Sequence, residues 1–154
     1  MQRRGRMAEQ DLIKLYSQRI LALATDIPHR ERLPAPAHTA RKRAPLCGST
    51  VTVDVGLDAA GRITAFGQDV RACALGQASA ALLGQHVIGV DRAAIQRLRD
   101  QLRAMLRENG PVPEAPFEGY EVLIPARDYR NRHDSILLAI EATLDAIDEA
   151  ARAA

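Results

Sequence analysis

The side chains best suited to nucleophilic or metal chemistry are two cysteines, Cys47 and Cys73. Their thiolate forms attack sulfur donors and ligate soft metals. They stand too far apart in sequence for a local Cys-x-x-Cys knuckle, so one ion held between them needs further ligands from elsewhere in the fold. His133 and Asp134, adjacent at the start of the last helical pattern, are the candidates. Taken singly, each residue also fits a plainer role: the cysteines as small apolar core residues, His133 as an exposed cap residue, and Asp134 as a first-turn acid on a helix dipole. Cys73 lies a few positions before a small-residue helical pattern, whose partial positive charge at the amino end favours a thiolate.

The elements that must position these residues follow from periodicity. Leu12, Ile13, Tyr16, Ile20 and Leu23 have helical spacing and predict an amphipathic first helix over Glu9 to Ala24. Pro28, Pro34, Pro36 and Pro45 turn the stretch from Ile27 to Pro45 into an expected extended surface loop that delivers the chain to Cys47. Val51, Val53, Val55 and Leu57 alternate with polar residues and predict a strand. Asp58 to Gly61 reads as a hairpin turn, Arg62 to Phe66 as a second strand and Gln68 to Cys73 as a third. Such a meander can bring Cys47 and Cys73 to one edge of the sheet.

Downstream, Gly76 to Leu83 favours a closely packed helix, broken near Gly84 to Gly89. Asp91 is placed to cap a helix whose apolar stripe is Ile95, Leu98, Leu102, Met105 and Leu106, stopped by Asn109-Gly110-Pro111. The arginines opposite that stripe, balanced by Asp100 and Glu108, read as a solvated charged face. A short segment spans Tyr120 to Arg127. A long last helix opens near Arg132 and buries Ile136, Leu137, Ile140, Leu144 and Ile147. The expected fold class is α+β: a three-stranded antiparallel meander packed with helices, with an N-terminal helix and a long C-terminal one. Residues 1–8 are expected to be a basic disordered tail, and 9–152 one domain.

Composition removes several function classes. With 47% apolar and 26% charged residues, the 154-residue chain is too rich in core-forming side chains for disorder. A balance of 21 Lys and Arg against 19 Asp and Glu, with three Tyr, two Phe and no Trp, gives no reason to expect nucleic-acid binding. No apolar run is long enough for a membrane span. The basic start lacks an apolar secretory region, so a cytoplasmic location is expected, with free or metal-bound thiols in place of a disulfide.

The order of these parts resembles the NifU/IscU-type iron–sulfur cluster assembly scaffolds. The residues that carry the resemblance are Tyr16-Ser17 in a first helix, Cys47-Gly48-Ser49 after a Pro-rich loop, Ala72-Cys73-Ala74-Leu75-Gly76-Gln77-Ala78-Ser79-Ala80, and His133-Asp134-Ser135 opening a long helix. The resemblance covers the chain from about Leu15 to Ile147. In that family three cysteines and an aspartate surround an iron–sulfur cluster, or zinc. Cys47 and Cys73 match the first two cysteines. Ser49 stands where the family aspartate sits, and Asp134 where the third cysteine would be, while His133 keeps the neighbouring histidine. The resemblance therefore implies metal ligation by Cys47, Cys73, Asp134 and His133, with Ser49 alongside. The cargo implied is a 2Fe–2S cluster or iron, with zinc as another occupant. The implied partners are a cysteine desulfurase and apoprotein acceptors, with no turnover chemistry. The chaperone-recognition Leu-Pro-Pro-Val-Lys of the IscU branch is not intact in Leu123-Ile124-Pro125-Ala126-Arg127. Loss of the third cysteine leaves open the alternative of a diverged interaction protein that carries zinc or no metal.

Overall fold

Strand β2, Thr50–Leu57, forms where the alternation of valines is strictest, and everything else is arranged around it. Val51, Val53 and Val55 point inward and are fully buried, whereas Thr50, Thr52 and Asp54 line the opposite face. The structure, a computed structural model, describes residues 18–35, 38–46 and 48–153. Strand β1, His38–Arg43, pairs antiparallel with β2, and β2 pairs antiparallel with β3, Ile63–Arg71, giving the sheet order β1-β2-β3.

The three-stranded meander is present, but its strands differ from the expected set. The stretches 62–66 and 68–73 belong to one strand, β3, which runs through Gly67. A Cβ at Gly67 would lie 2.5 Å from the Glu31 carbonyl oxygen, so this glycine marks the close approach of the preceding loop, not a strand break. The third strand comes from His38–Arg43, inside the stretch expected to be loop. Its six residues contain no proline and alternate in burial; Pro34 and Pro45 flank it, as befits an edge strand.

Of the expected first helix, residues 18–24 are described and form α1, while the rest of it and the basic tail lie outside the described residues. Helix α2, Ala74–His86, ends inside the expected break at Gly84 to Gly89, and Gly84 within it is where the loop at Pro28 packs against the helix. Helix α3, Arg92–Arg107, begins as expected with the Asp91 carboxylate accepting from Ala94 N at 3.0 Å. Arginines of its outer face are tied down by Arg92–Asp148, Arg97–Glu114 and Arg107–Asp134 ion pairs. Two 3₁₀ segments, Glu118–Asp128 and Arg130–Arg132, lead into α4, His133–Ala153.

Helix α4 packs along β1 and β2, with α2 and α3 beside it. Ile136, Leu137, Ile140, Leu144 and Ile147 are buried as the spacing predicted, and meet Val51, Val53, Val55 and Phe66 in a single core. The helices thus cover one face of the sheet. On the other face, loop residues around Arg32 cross the layer formed by Thr39 and Asp54. There the buried Asp54 carboxylate accepts from Arg32 Nε at 2.7 Å, Arg32 Nη2 at 3.1 Å, Leu33 N at 3.0 Å and Thr39 Oγ1 at 2.6 Å. Among the described residues, no helix is long and apolar enough to cross a membrane.

Candidate functional site

Three elements meet where β3 hands over to α2. Cys73 is the N-cap residue of α2, with an extended backbone at φ −66° and ψ 169°, and its side chain is partly buried. Ser135, in the first turn of α4, places its Oγ 3.5 Å from Cys73 Sγ and 3.0 Å from Ser49 Oγ. Ser49 belongs to the β1–β2 turn, which is closed by Ala44 N donating to the Ser49 carbonyl at 2.8 Å. Both serines are buried.

Small residues make this convergence possible. A Cβ at Gly76 would sit 2.6 Å from Ser135 Oγ and 3.1 Å from its carbonyl oxygen, so only glycine lets the start of α2 reach the start of α4. One turn further along, Ser79 Oγ donates to the Ile136 carbonyl at 2.6 Å, and the buried Tyr120 hydroxyl donates to the Ser79 carbonyl at 2.7 Å. These two bonds lock α2, α4 and the long 3₁₀ segment into one block.

Burial opposes ionisation of Cys73, yet the groups around the sulfur more than offset it. The Ser135 hydroxyl, the Gly76 amide, the Arg132 side chain and the Leu75 amide all favour the charged form and hold the thiol below its ordinary value. The help from α2 comes through the Gly76 and Leu75 amides of its first turn. The sulfur is therefore half sheltered, more acidic than a free cysteine, and placed at the junction of two helix starts.

The other residues singled out from sequence are placed differently. Asp134 accepts from Arg107 Nη2 at 3.0 Å on the exposed side of α4. His133 is only 1% exposed, so it is no exposed cap residue; its Nε2–H donates to the Ala126 carbonyl at 2.9 Å. A metal would have to take its Nδ1. Ser49 sits in the cluster with Cys73. Cys47 lies outside the described residues, between Leu46 and Gly48 in sequence. Among the described residues, no three of His, Cys, Asp and Glu are grouped to hold a metal ion.

Among solved structures, the chain is 40% identical to a nitrogen-fixing NifU-like protein (N-terminal) from Brucella abortus, with a TM-score of 0.84 over 88% of this chain and 94% of that one. This chain belongs to the NifU/IscU-type scaffold family. The same fold is seen in an iron–sulfur cluster assembly scaffold protein for the SUF system from the thermophile Fervidobacterium Islandicum AW-1, at 16% identity and a TM-score of 0.72 over 84% of this chain and 93% of that one. It is also seen in a hypothetical protein at 22% identity, with a TM-score of 0.76 over 88% and 98% of the two chains. No protein-family model and no curated protein matches the chain.

Within this NifU-like site, sequence reasoning missed the part played by Ser135 and Arg132. Ser135 closes a row of small buried residues on α4 with Ala139, Ala142 and Ala146, spaced four, three and four apart. That row was the available signal: a helix face made only of small side chains must be approached closely by a neighbour, and a hydroxyl at its end must find a polar partner. Arg132 left no comparable pattern in the sequence.

Proposed function

We propose that this NifU-like chain is an iron–sulfur cluster assembly scaffold that takes up iron and sulfide, or an assembled 2Fe–2S cluster, as cargo and passes it to apoproteins. Cys73 and Cys47 are the thiolate ligands, Asp134 and His133 complete the set, and Ser49 stands alongside. The observation that carries the reading is the convergence of Cys73, Ser49 and Ser135 from three separate elements at distances of 3.0 and 3.5 Å. A thiolate-favouring, partly sheltered sulfur in that setting suits soft metal ions. Sulfur, nitrogen and oxygen donors together satisfy a tetrahedral ferrous or zinc ion, and imidazole replaces thiolate in some stable 2Fe–2S centres.

Recruiting Asp134 requires it to leave Arg107, an exposed pair of the kind worth under about 1 kcal/mol. His133 must offer Nδ1, since Nε2 is engaged with Ala126. A carboxylate at position 134 cannot form a persulfide, so sulfur from a cysteine desulfurase goes to Cys47 or Cys73. The accepting thiolate attacks the outer sulfur of the donor's persulfide, the donor's own S–S bond breaks, and the donor cysteine leaves as a thiolate. The protein performs no turnover chemistry of its own and works in the cytoplasm.

A second reading is favoured by the pairs Asp134 and His133 already make: a scaffold-fold interaction protein that binds zinc or no metal. Anaerobic reconstitution with ferrous iron and sulfide, run beside zinc titration, separates the two. A scaffold develops charge-transfer absorption and passes it to an apo-ferredoxin. Zinc uptake without that absorption, or no uptake, establishes the second reading.

A further inference from the structure

Half of the outer sheet face, at the end near Cys73, is covered by no helix among the described residues. Loop residues around Arg32 cover the layer of Thr39, Asp54 and Gly67, where Glu31 approaches Gly67 closely. Below that layer the register stacks Arg41 across Thr52 and Asp69, then Arg43 across Thr50 and Arg71. The result is a cleft of about 510 Å³, floored by Thr39, Thr50 and Thr52 and walled by Arg32, Arg41, Arg71 and Asp69.

Its charge is net positive. Arg32 is matched by the buried Asp54, and Arg71 is paired with the half-buried Asp69 at 3.7 Å, the one carboxylate in the lining. Arg41 and Arg43 form no ion pair among the described residues, and both are exposed. Of the floor hydroxyls, Thr39 is committed to Asp54 at 2.6 Å and Thr50 donates to the Gly48 carbonyl at 3.5 Å, so Thr52 is the neutral donor best placed for a ligand. The cleft ends close to Cys73 in the chain: Arg71, on its wall, ends β3, and Cys73 follows two residues later, at most about 7 Å along the backbone. At the same end of the sheet, Leu46 on the β1–β2 turn is 74% exposed, a large apolar side chain at the rim.

We propose that this basic, threonine-floored cleft is the docking groove for an acidic extended segment of the protein that exchanges sulfur or cluster with Cys73, with Leu46 buried at its edge. The inference rests on the scaffold reading for what is exchanged, and on the cleft alone for the docking. A negatively charged segment finds guanidinium partners on the walls and the Thr52 hydroxyl on the floor, and its approach is steered by the uncompensated arginines.

The test uses the full chain and two synthetic extended peptides, one built on alternating Glu and Asp and one with Gln and Asn in their place. Each ends in a cysteine carried as a thiopyridyl disulfide. The Cys73 thiolate attacks the peptide sulfur, a protein–peptide disulfide forms, the bond to the pyridyl sulfur breaks, and pyridine-2-thiolate leaves and takes a proton from water as pyridine-2-thione. Peptide mapping locates the adduct. The acidic peptide should label Cys73 about tenfold faster at low ionic strength, and about 0.5 M salt should erase the advantage. The double variant Arg41→Glu, Arg71→Glu should lose the preference while an uncharged thiopyridyl reagent still labels Cys73 at the parent rate. Equal rates for the two peptides overturn the proposal. So does a preference that survives in the double variant, or a single-stranded oligonucleotide that displaces the acidic peptide at lower concentration than free acidic peptide does. A parent protein that takes up no iron and sulfide but keeps the charge preference would reject the scaffold reading and support the groove.

Discussion

Two buried polar clusters flank the sheet, and they are built to opposite ends. Around Asp54 every acceptor position is used: two bonds from Arg32, one from the Leu33 amide and one from the Thr39 hydroxyl saturate a carboxylate that has no exposed surface. Around Cys73 a polarisable sulfur stays partly open, with the Ser135 hydroxyl at a long 3.5 Å. Burial opposes the charged form in both places, and neighbouring donors overcome it in both. The difference lies in what remains available. Asp54 has no lone pair to spare for a ligand and fixes the loop to the sheet, whereas Cys73 keeps a face toward solvent on which a bond can form.

Removing one partner should break this contrast most at the saturated cluster. Asp54→Ala leaves the Thr39 hydroxyl and the Leu33 amide without their acceptor and should lower unfolding stability by about 3 kcal/mol in urea titration. The same cluster sets an acid limb. Its folded pKa lies below the unfolded value, so its contribution is present above about pH 4 and is lost as the pH falls through the folded pKa. In Asp54→Ala that part of the pH–stability curve should flatten. Gly76→Ala comes next: its new Cβ would force Ser135 away, at about 2 kcal/mol, and should slow Cys73 alkylation together with the loss of stability. Ser135→Ala should sharpen the comparison, with a stability change within about 1 kcal/mol but a raised Cys73 pKa. Less thiolate at neutral pH then means slower alkylation, with the pH–rate profile moved to higher pH. An unchanged profile would show that Ser135 does not act on the sulfur.

The central strand, the capping by Asp91, the stop after α3 and the buried stripe of α4 were legible because each is a local pattern: alternation, a cap, a turn or a helical period. The strand His38–Arg43 was not, since an edge strand with a basic outer face and flanking prolines carries the composition of a loop. Gly67 misled for a related reason, because a glycine demanded by a neighbouring loop looks the same in sequence as one that ends a strand. Cys73 at the start of α2 was readable from the small residues that follow it. The destinations of His133 and Asp134 were not, because adjacent residues at a helix start point apart: His133 inward to Ala126, Asp134 outward to Arg107.

The central claim is that the sulfur left open at the start of α2 holds iron and sulfide. Its most direct test is the iron and acid-labile sulfide content of freshly purified protein, handled without oxygen, beside Cys73→Ala and Cys47→Ala. Iron and sulfide together in the parent, and neither in the two variants, is the predicted result. A parent with no labile sulfide, or variants that retain as much as the parent, would contradict it.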